Sequence, residues 1–494
     1  MIRFNSNIAA IWWAFFLVSN LHHAMTCFAE DLRPNILFIA VDDLNHWVGH
    51  LDGHPGTLTP NIDRIAINGI TFSKAYAAAP LCNPSRVALL SGVVPARSGV
   101  YGNSERLEVK MPNAITLPQY FRANGYVVKG AGKIFHSPYG DALTDKSFDE
   151  YYAPYGRLKA KLGSKKNKRP QKKQLKTEIN MWAPWGASDL NDSDMLDYKN
   201  AEWVIAELQR PQIKPFFLAY GTQKPHLDWK VPRKYYDMHP KDSVILPKVI
   251  HNDLSDIPPF GRRLAEEVLD VSNGKNFSVP GGDHRNILKF NQWKPAVRGY
   301  LASITFADAQ VGRVLDALSE SPHSDDTIIV LWGDHGYHLG QKEHWRKHTL
   351  WEVGLRTTLV IYAPNVTTPN SRSDRVVSLL DVYPTLIELA DLEPYDELDG
   401  QSLVPLLKQP KLQWSRPVVS TFGYKNHSVR TERWRYIRYY DGSEELYDHK
   451  EDPNEWNNLA AAPLEKYHRL LMDRLSNELP KNNALPIRML KKIK

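Results

Sequence analysis

Cysteine is almost missing from this chain: its 494 residues hold only Cys27 and Cys82. Cys27 sits at the end of a stretch that reads as a secretory signal. Arg3 supplies a basic start, residues 8–18 form an apolar core too short to span a bilayer, and Cys27-Phe28-Ala29 offers a cleavage site. Lipidation at Cys27 is the other reading of that residue, but Ala24-Met25-Thr26 is a poor lipobox. Removal of residues 1–29 leaves Cys82 as a lone thiol and excludes any intrachain disulfide. An exported protein that needs no disulfides points to a bacterial envelope, a periplasmic or secreted enzyme. An unpaired thiol in such a compartment is a liability unless it is buried or used.

Also lacking is any later apolar run of membrane-spanning length, so no transmembrane segment is expected in the mature chain. There is no internal repeat and no recognised nucleic-acid module, which argues against a nucleic-acid partner. What is present is ordinary for a globular protein: 42% hydrophobic and 24% charged residues, enough for a large core. The net charge of +7 suits an acidic partner. Much of the excess lies in Lys159, Lys161, Lys165, Lys166, Lys168, Arg169, Lys172, Lys173 and Lys176. That run is either a solvated loop or a landing strip for a polyanion such as a sulfated polysaccharide.

Buried strands carry the chemistry-bearing residues at their ends. Ile36–Val41 is continuously apolar, as in a parallel strand covered on both faces, and stops at Asp42-Asp43. A second apolar run, Thr327–Trp332, delivers Gly333-Asp334-His335-Gly336. Shorter strands at 126–130 and 215–220 lead to Lys133 and His136, and to Lys224-Pro225-His226. Helices are expected from Thr59-Pro60, after Thr116, near 195–208, over 298–318 and over 382–387. Residues 240–290 read as loops and insertions. The fold class is therefore α/β, a large mixed and mostly parallel sheet flanked by helices. It fills residues 30–410, with short strands and a terminal helix forming a small antiparallel subdomain over 411–494.

Pro84 and Ser85 mark another helix start, which places Cys82 just ahead of a helix N-terminus, where an anion is favoured and a thiol is acidified. In open α/β sheets ligands gather beyond the C-terminal strand ends, so all these residues are expected on one rim. Three carboxylates with a single imidazole suit a hard divalent cation, Ca2+ or Mg2+, with zinc as the runner-up because of His335.

Cys82-Asn83-Pro84-Ser85-Arg86, continued by Ser91-Gly92, resembles the sulfatase signature Cys-x-Pro-Ser-Arg. Val41-Asp42-Asp43, Gly132-Lys133, Lys224-Pro225-His226 and Gly333-Asp334-His335-Gly336 follow in the order of that family, within the alkaline phosphatase superfamily. Two residues between Lys133 and His136, and His335 after Asp334, are similar to its iduronate-2-sulfatase group. The resemblance implies that a maturation enzyme converts Cys82 to formylglycine, whose hydrate attacks the ester sulfur and later expels sulfate. It further implies that Asp42, Asp43, Asp334 and His335 hold Ca2+ together with residue 82. Arg86 would anchor the hydrate, and His136 would be the base for the release step. Lys133, His226 and Lys347 would grip the sulfate of a sulfated carbohydrate. His338, His344, His348 and His427 are further candidates for the substrate mouth. Two rival readings are a phosphonate or phosphodiester hydrolase of the same superfamily and a catalytically silent glycan-binding protein.

Overall fold

The computed structural model describes residues 33–137, 142–153, 184–270, 275–278, 280–461 and 463–486. The signal-peptide expectation for 1–29 and the basic run at 159–176 lie outside them. At the centre is a mixed sheet with nine strands among the described residues. Four adjacent strands form its middle, in the order Thr327–Gly333, Asn35–Val41, Phe216–Thr222 and Val127–Gly132. All four run parallel. Antiparallel pairing begins outside them, where Leu359–Tyr362 joins Thr327–Gly333 and then Ile70–Tyr76.

Alternation along the central strand explains the layers. Ile36, Phe38 and Ala40 pack on one face with Val87, Leu90, Phe121 and Leu386, which come from helices Cys82–Ser91, Leu117–Ala123 and Val382–Leu389. Leu37, Ile39 and Val41 pack on the other with Val204, Ile304, Val311 and Ile62, from helices Leu196–Leu208, Trp293–Ser319 and Pro60–Asn68. Both faces are covered, which is why the strand is apolar at every position.

Parallel strands place their C-terminal ends on the same side. Val41 is level with Gly333 on one neighbour and with Thr222 on the other, and Gly132 is level with Gly221. Gly132 has φ +82°, and a Cβ there would lie 1.8 Å from the carbonyl oxygen of Gly221. Only glycine lets these two backbones approach so closely at the rim.

A four-stranded antiparallel sheet, Val418–Thr421, His427–Arg430, Trp434–Arg438 and Glu444–Asp448, is followed by the helix Lys466–Ser476. It is tied to the main body through Glu352, which accepts from Tyr76 Oη (2.8 Å), Arg430 Nε (3.2 Å) and Arg435 Nη2 (2.6 Å). Two expectations need correction. Cys82 is the first residue of its helix rather than the one before it, because Leu81 takes the extended cap conformation. The 240–290 region contains helices Pro259–Ala265 and Gly282–Lys289, the second amphipathic over a span whose many charged residues hid its period.

Candidate active site

The helix Cys82–Ser91 is buried along its whole length and lies against the rim formed by the four parallel strands. Asn83 fixes its first turn: its N–H donates to Asn103 Oδ1 (3.1 Å), and its Nδ2 donates to the carbonyls of Gly102 and Glu105 (2.9 and 2.8 Å). Ser85 Oγ donates to the Asp334 carbonyl and so ties the same turn to the end of strand Thr327–Gly333.

Around the Cys82 sulfur the structure gathers Lys347 Nζ at 3.1 Å, His335 Nε2 at 3.4 Å and Asp43 Oδ1 at 3.8 Å. His335 turns Nδ1 toward the Gly336 carbonyl (2.9 Å), which leaves Nε2 facing Asp43 (3.4 Å) and Asp334 (3.6 Å). Ligand atoms of Asp43, Cys82, Asp334 and His335 lie within 4.8 Å of one another, and Asp42, Asp43 and His226 form an adjoining group.

Three buried cations balance the three carboxylates. Arg86 donates Nη2 to Asp42 (3.0 Å), Nε to Asp334 (2.9 Å) and Nη1 to the carbonyls of Lys133 and Ile134 (2.5 and 3.0 Å). Lys133 Nζ reaches Asp42 Oδ2 at 2.5 Å, and Lys347 Nζ reaches Asp43 Oδ1 at 2.5 Å. Burial works to raise the Asp42 and Asp43 carboxyls. Lys133 and Arg86 overcome it at Asp42, holding it well below the carboxylate range, and Lys347 with His226 overcomes it at Asp43, holding it at about 2. Burial likewise raises the Cys82 thiol, yet Lys133 and Lys347 outweigh it and leave the group more acidic than an ordinary cysteine.

The donor set fits a hard dication. Carboxylate oxygens, one imidazole nitrogen turned toward them and a side chain at 82 converge without solvent exposure. Because the carboxylates are already balanced, a dication would leave the pocket two charges positive, which suits an oxyanion.

The remaining predicted residues are placed as follows. His226 donates Nδ1 to the Leu227 carbonyl (2.6 Å) and turns Nε2 to within 4.0 Å of Asp43 Oδ2. His136 has a buried Nδ1 with no hydrogen-bond partner among the described residues, and burial together with Lys133 lowers it to about 4. His338, His344 and His427 are interior residues rather than mouth residues. His338 spans the Gln341 carbonyl and Thr349, His427 meets Thr421, and His344 touches two carbonyls. His348 pairs with Glu267 at 2.7 Å and stacks on Phe422.

Two further residues hold the segments that carry Asp43 and His226. Tyr300, from the long helix, donates Oη to the Asp43 carbonyl (2.7 Å) and accepts from Asn45 N (3.1 Å), holding a segment in which Asp43 has φ +61°. Asp197 accepts from the backbone N–H groups of Gln223 and Lys224 (2.8 and 2.9 Å), just ahead of His226. Neither stands in a motif. An isolated Tyr or Asp inside a helix gives no sequence signal of what it reaches across the fold.

A family model described as Sulfatase matches residues 34–392, and one described as N-sulphoglucosamine sulphohydrolase, C-terminal, matches 340–484. A sulfatase of Formosa agariphila is 36% identical over 463 residues, covering 92% of this chain and 87% of its own. Human iduronate 2-sulfatase is 30% identical over 396 residues, covering 73% and 69%. A protein solved in complex with its substrate D-glucosamine-2-N,6-O-disulfate superposes with TM-score 0.69 at 21% identity, covering 90% of this chain and 97% of that one. Phosphonate monoester hydrolase of Agrobacterium radiobacter gives TM-score 0.71 at 22% identity, covering 90% and 96%. These two superpositions speak to the fold alone, whereas the family match and the relatives extend over most of the chain. The chain thus belongs to the sulfatase family of the alkaline phosphatase superfamily and is a sulfuric ester hydrolase.

Proposed function

We propose that this chain is an exported, formylglycine-dependent, Ca2+-binding sulfatase that removes sulfate from a sulfated carbohydrate, with a uronic acid or related sugar at the site. The observation that carries this reading is Cys82 itself, set at 3.1–3.8 Å from Lys347, His335 and Asp43 on a rim that also holds Asp42, Asp334 and Lys133. The catalytic unit is residues 30–410, and 411–494 form the smaller unit.

In this reading Asp42, Asp43, Asp334 and His335 hold Ca2+ with residue 82, and the ion supplies positive charge for the sulfate oxygens. Formylglycine, made from Cys82 by a maturation enzyme, supplies a hydrated aldehyde as nucleophile and a route for releasing sulfate. The protein's own residues do the rest. Arg86 has no solvent exposure and fixes both Asp42 and Asp334, so it aligns the ligands and would anchor the hydrate at residue 82. Lys133 and Lys347 bring two ammonium groups to the sulfate; Lys347 and His226 attend the ester oxygen that leaves, whose developing charge they stabilise. His136, lowered to about 4 by burial and by Lys133, is neutral at physiological pH and can accept a proton in the release step.

The uronate preference draws on the similarity to human iduronate 2-sulfatase. It is tested by sulfate release from 2-O-sulfated uronides, sulfated galactans and N-sulfated glucosamine, each run beside a matching phosphodiester and phosphonate ester. Release from a uronide supports the proposal. Turnover of the phosphorus esters alone replaces it with a phosphonate or phosphodiester hydrolase, and binding without turnover replaces it with a glycan-binding protein.

A further inference from the structure

The loop that ends on Lys347 is held in an unfavourable backbone. Gly340 (φ +117°), Lys342 (+55°), Glu343 (+49°), Arg346 (+75°) and His348 (+86°) all lie in the positive-φ region, and four of them bear side chains. The four with side chains hold a conformation that such residues keep only where the surroundings impose it. Several of the ties that impose it lead to side chains numbered between 253 and 284. Asp253 takes Lys342 Nζ at 2.7 Å, Asp283 takes Arg346 Nη2 at 2.7 Å and Glu267 takes His348 Nδ1 at 2.7 Å. His284 Nδ1 accepts from Trp345 Nε1 at 3.0 Å.

A further tie leads directly to Lys347. His344 is 1% exposed; its Nδ1 lies 2.9 Å from the Ala265 carbonyl oxygen and its Nε2 lies 2.8 Å from the Lys347 carbonyl oxygen. Both oxygens only accept, so the ring donates to one of them in either neutral tautomer and to both as an imidazolium. Burial lowers its affinity for the second proton, and the two carbonyls oppose that loss. The ring is therefore a rigid strut between the end of helix Pro259–Ala265 and the backbone of the lysine whose Nζ sits 3.1 Å from the Cys82 sulfur.

We propose that His344 is a positioning residue for Lys347: anchored on Ala265, it fixes the lysine backbone so that the ammonium meets the leaving ester oxygen. This rests on the role given to Lys347 above. A histidine that merely fills the core would affect folding and yield but would not change how rate depends on the leaving group.

The test uses the full-length, matured enzyme and a series of aryl sulfates, from 4-nitrophenyl through phenyl to 4-methoxyphenyl sulfate. The readout is the slope of log kcat/KM against the pKa of the leaving phenol. Within each preparation that slope is independent of how much enzyme is folded or matured. K347A is expected to steepen the slope, since poor leaving groups lose the most when assistance is withdrawn. H344A should steepen it in the same direction, losing about tenfold more on phenyl than on 4-nitrophenyl sulfate. H344Q, which still donates one hydrogen bond, should fall between H344A and wild type, and the H344A/K347A double variant should be no steeper than K347A. A wild-type slope in H344A beside a steepened K347A would overturn the proposal. A wild-type slope in K347A would overturn the role of Lys347 itself, and the proposal with it. Complete loss of turnover on every ester in both H344A and H344Q also counts against it, because the proposal confines the defect to the leaving oxygen.

Discussion

Arg86 directs its N–H groups to two carboxylates and two carbonyls with no solvent exposure. Replacing it by leucine leaves Asp42 and Asp334 buried without their partner, which costs about 3–5 kcal/mol for a broken buried ion pair. Arg86→Leu is therefore expected to unfold at markedly lower denaturant concentration and to lose activity together with stability. An unchanged unfolding midpoint in urea would show that Arg86 does not hold the carboxylates. Metal removal is the complementary test. Dialysis against EGTA should abolish sulfate release, and added Ca2+ should restore it, because the carboxylates and His335 then lack the charge they converge on. At this scale the sequence showed the site where it is written in short motifs: Asp42-Asp43, Cys82 to Arg86 and Asp334-His335 meet around one point. It did not reveal Tyr300 or Asp197, whose partners are backbone atoms remote in sequence. The four additional histidines also carried no signal separating mouth from core, and three of them proved interior.

Among the elements, the segment that follows strand Phe216–Thr222 depends on helix Leu196–Leu208. Asp197, in its first turn, accepts two backbone N–H groups of that segment and is 2% exposed. Asparagine is nearly the same size but presents an NH2 to one of those donors. Asp197→Asn should displace His226 and lower kcat/KM by about tenfold to a hundredfold, with circular dichroism unchanged. Equal kcat/KM in wild type and variant would show that the segment keeps its position without the carboxylate. The parallel strands were legible because burial on both faces removes every polar residue from them, as Asn35–Val41 and Thr327–Gly333 show. Residues 240–290 were not, because their helices are short and lie among charged side chains that pair with the 340–348 loop.

For the molecule as a whole, burial holds a set of histidines uncharged: His46 at about 3, and His136, His239, His284 and His427 at about 4. The unfolded chain protonates these imidazoles near 6.5, so it binds more protons than the folded chain between about 4 and 6.5. Their contribution to stability is complete above 6.5 and is lost as pH falls through the folded values. Asp197 and Asp308, raised to about 6 by burial, and Asp253, Asp381 and Glu445, also raised by burial, act in the opposite sense over part of this window. Against them, His54, His338 and His344, lowered by burial, add to the first set. The melting temperature should therefore fall steadily from pH 6.5 to pH 4.5, and a flat or rising profile would contradict this balance. The same fold that keeps these groups from water delivers four parallel strand ends to Cys82, and the account stands on what that residue becomes. The decisive measurement is the mass of the tryptic peptide spanning Cys82, taken from enzyme of the native host that is releasing sulfate. The account predicts a loss of about 18 Da relative to the cysteine peptide, in proportion to turnover. An unmodified thiol in fully active enzyme would contradict it.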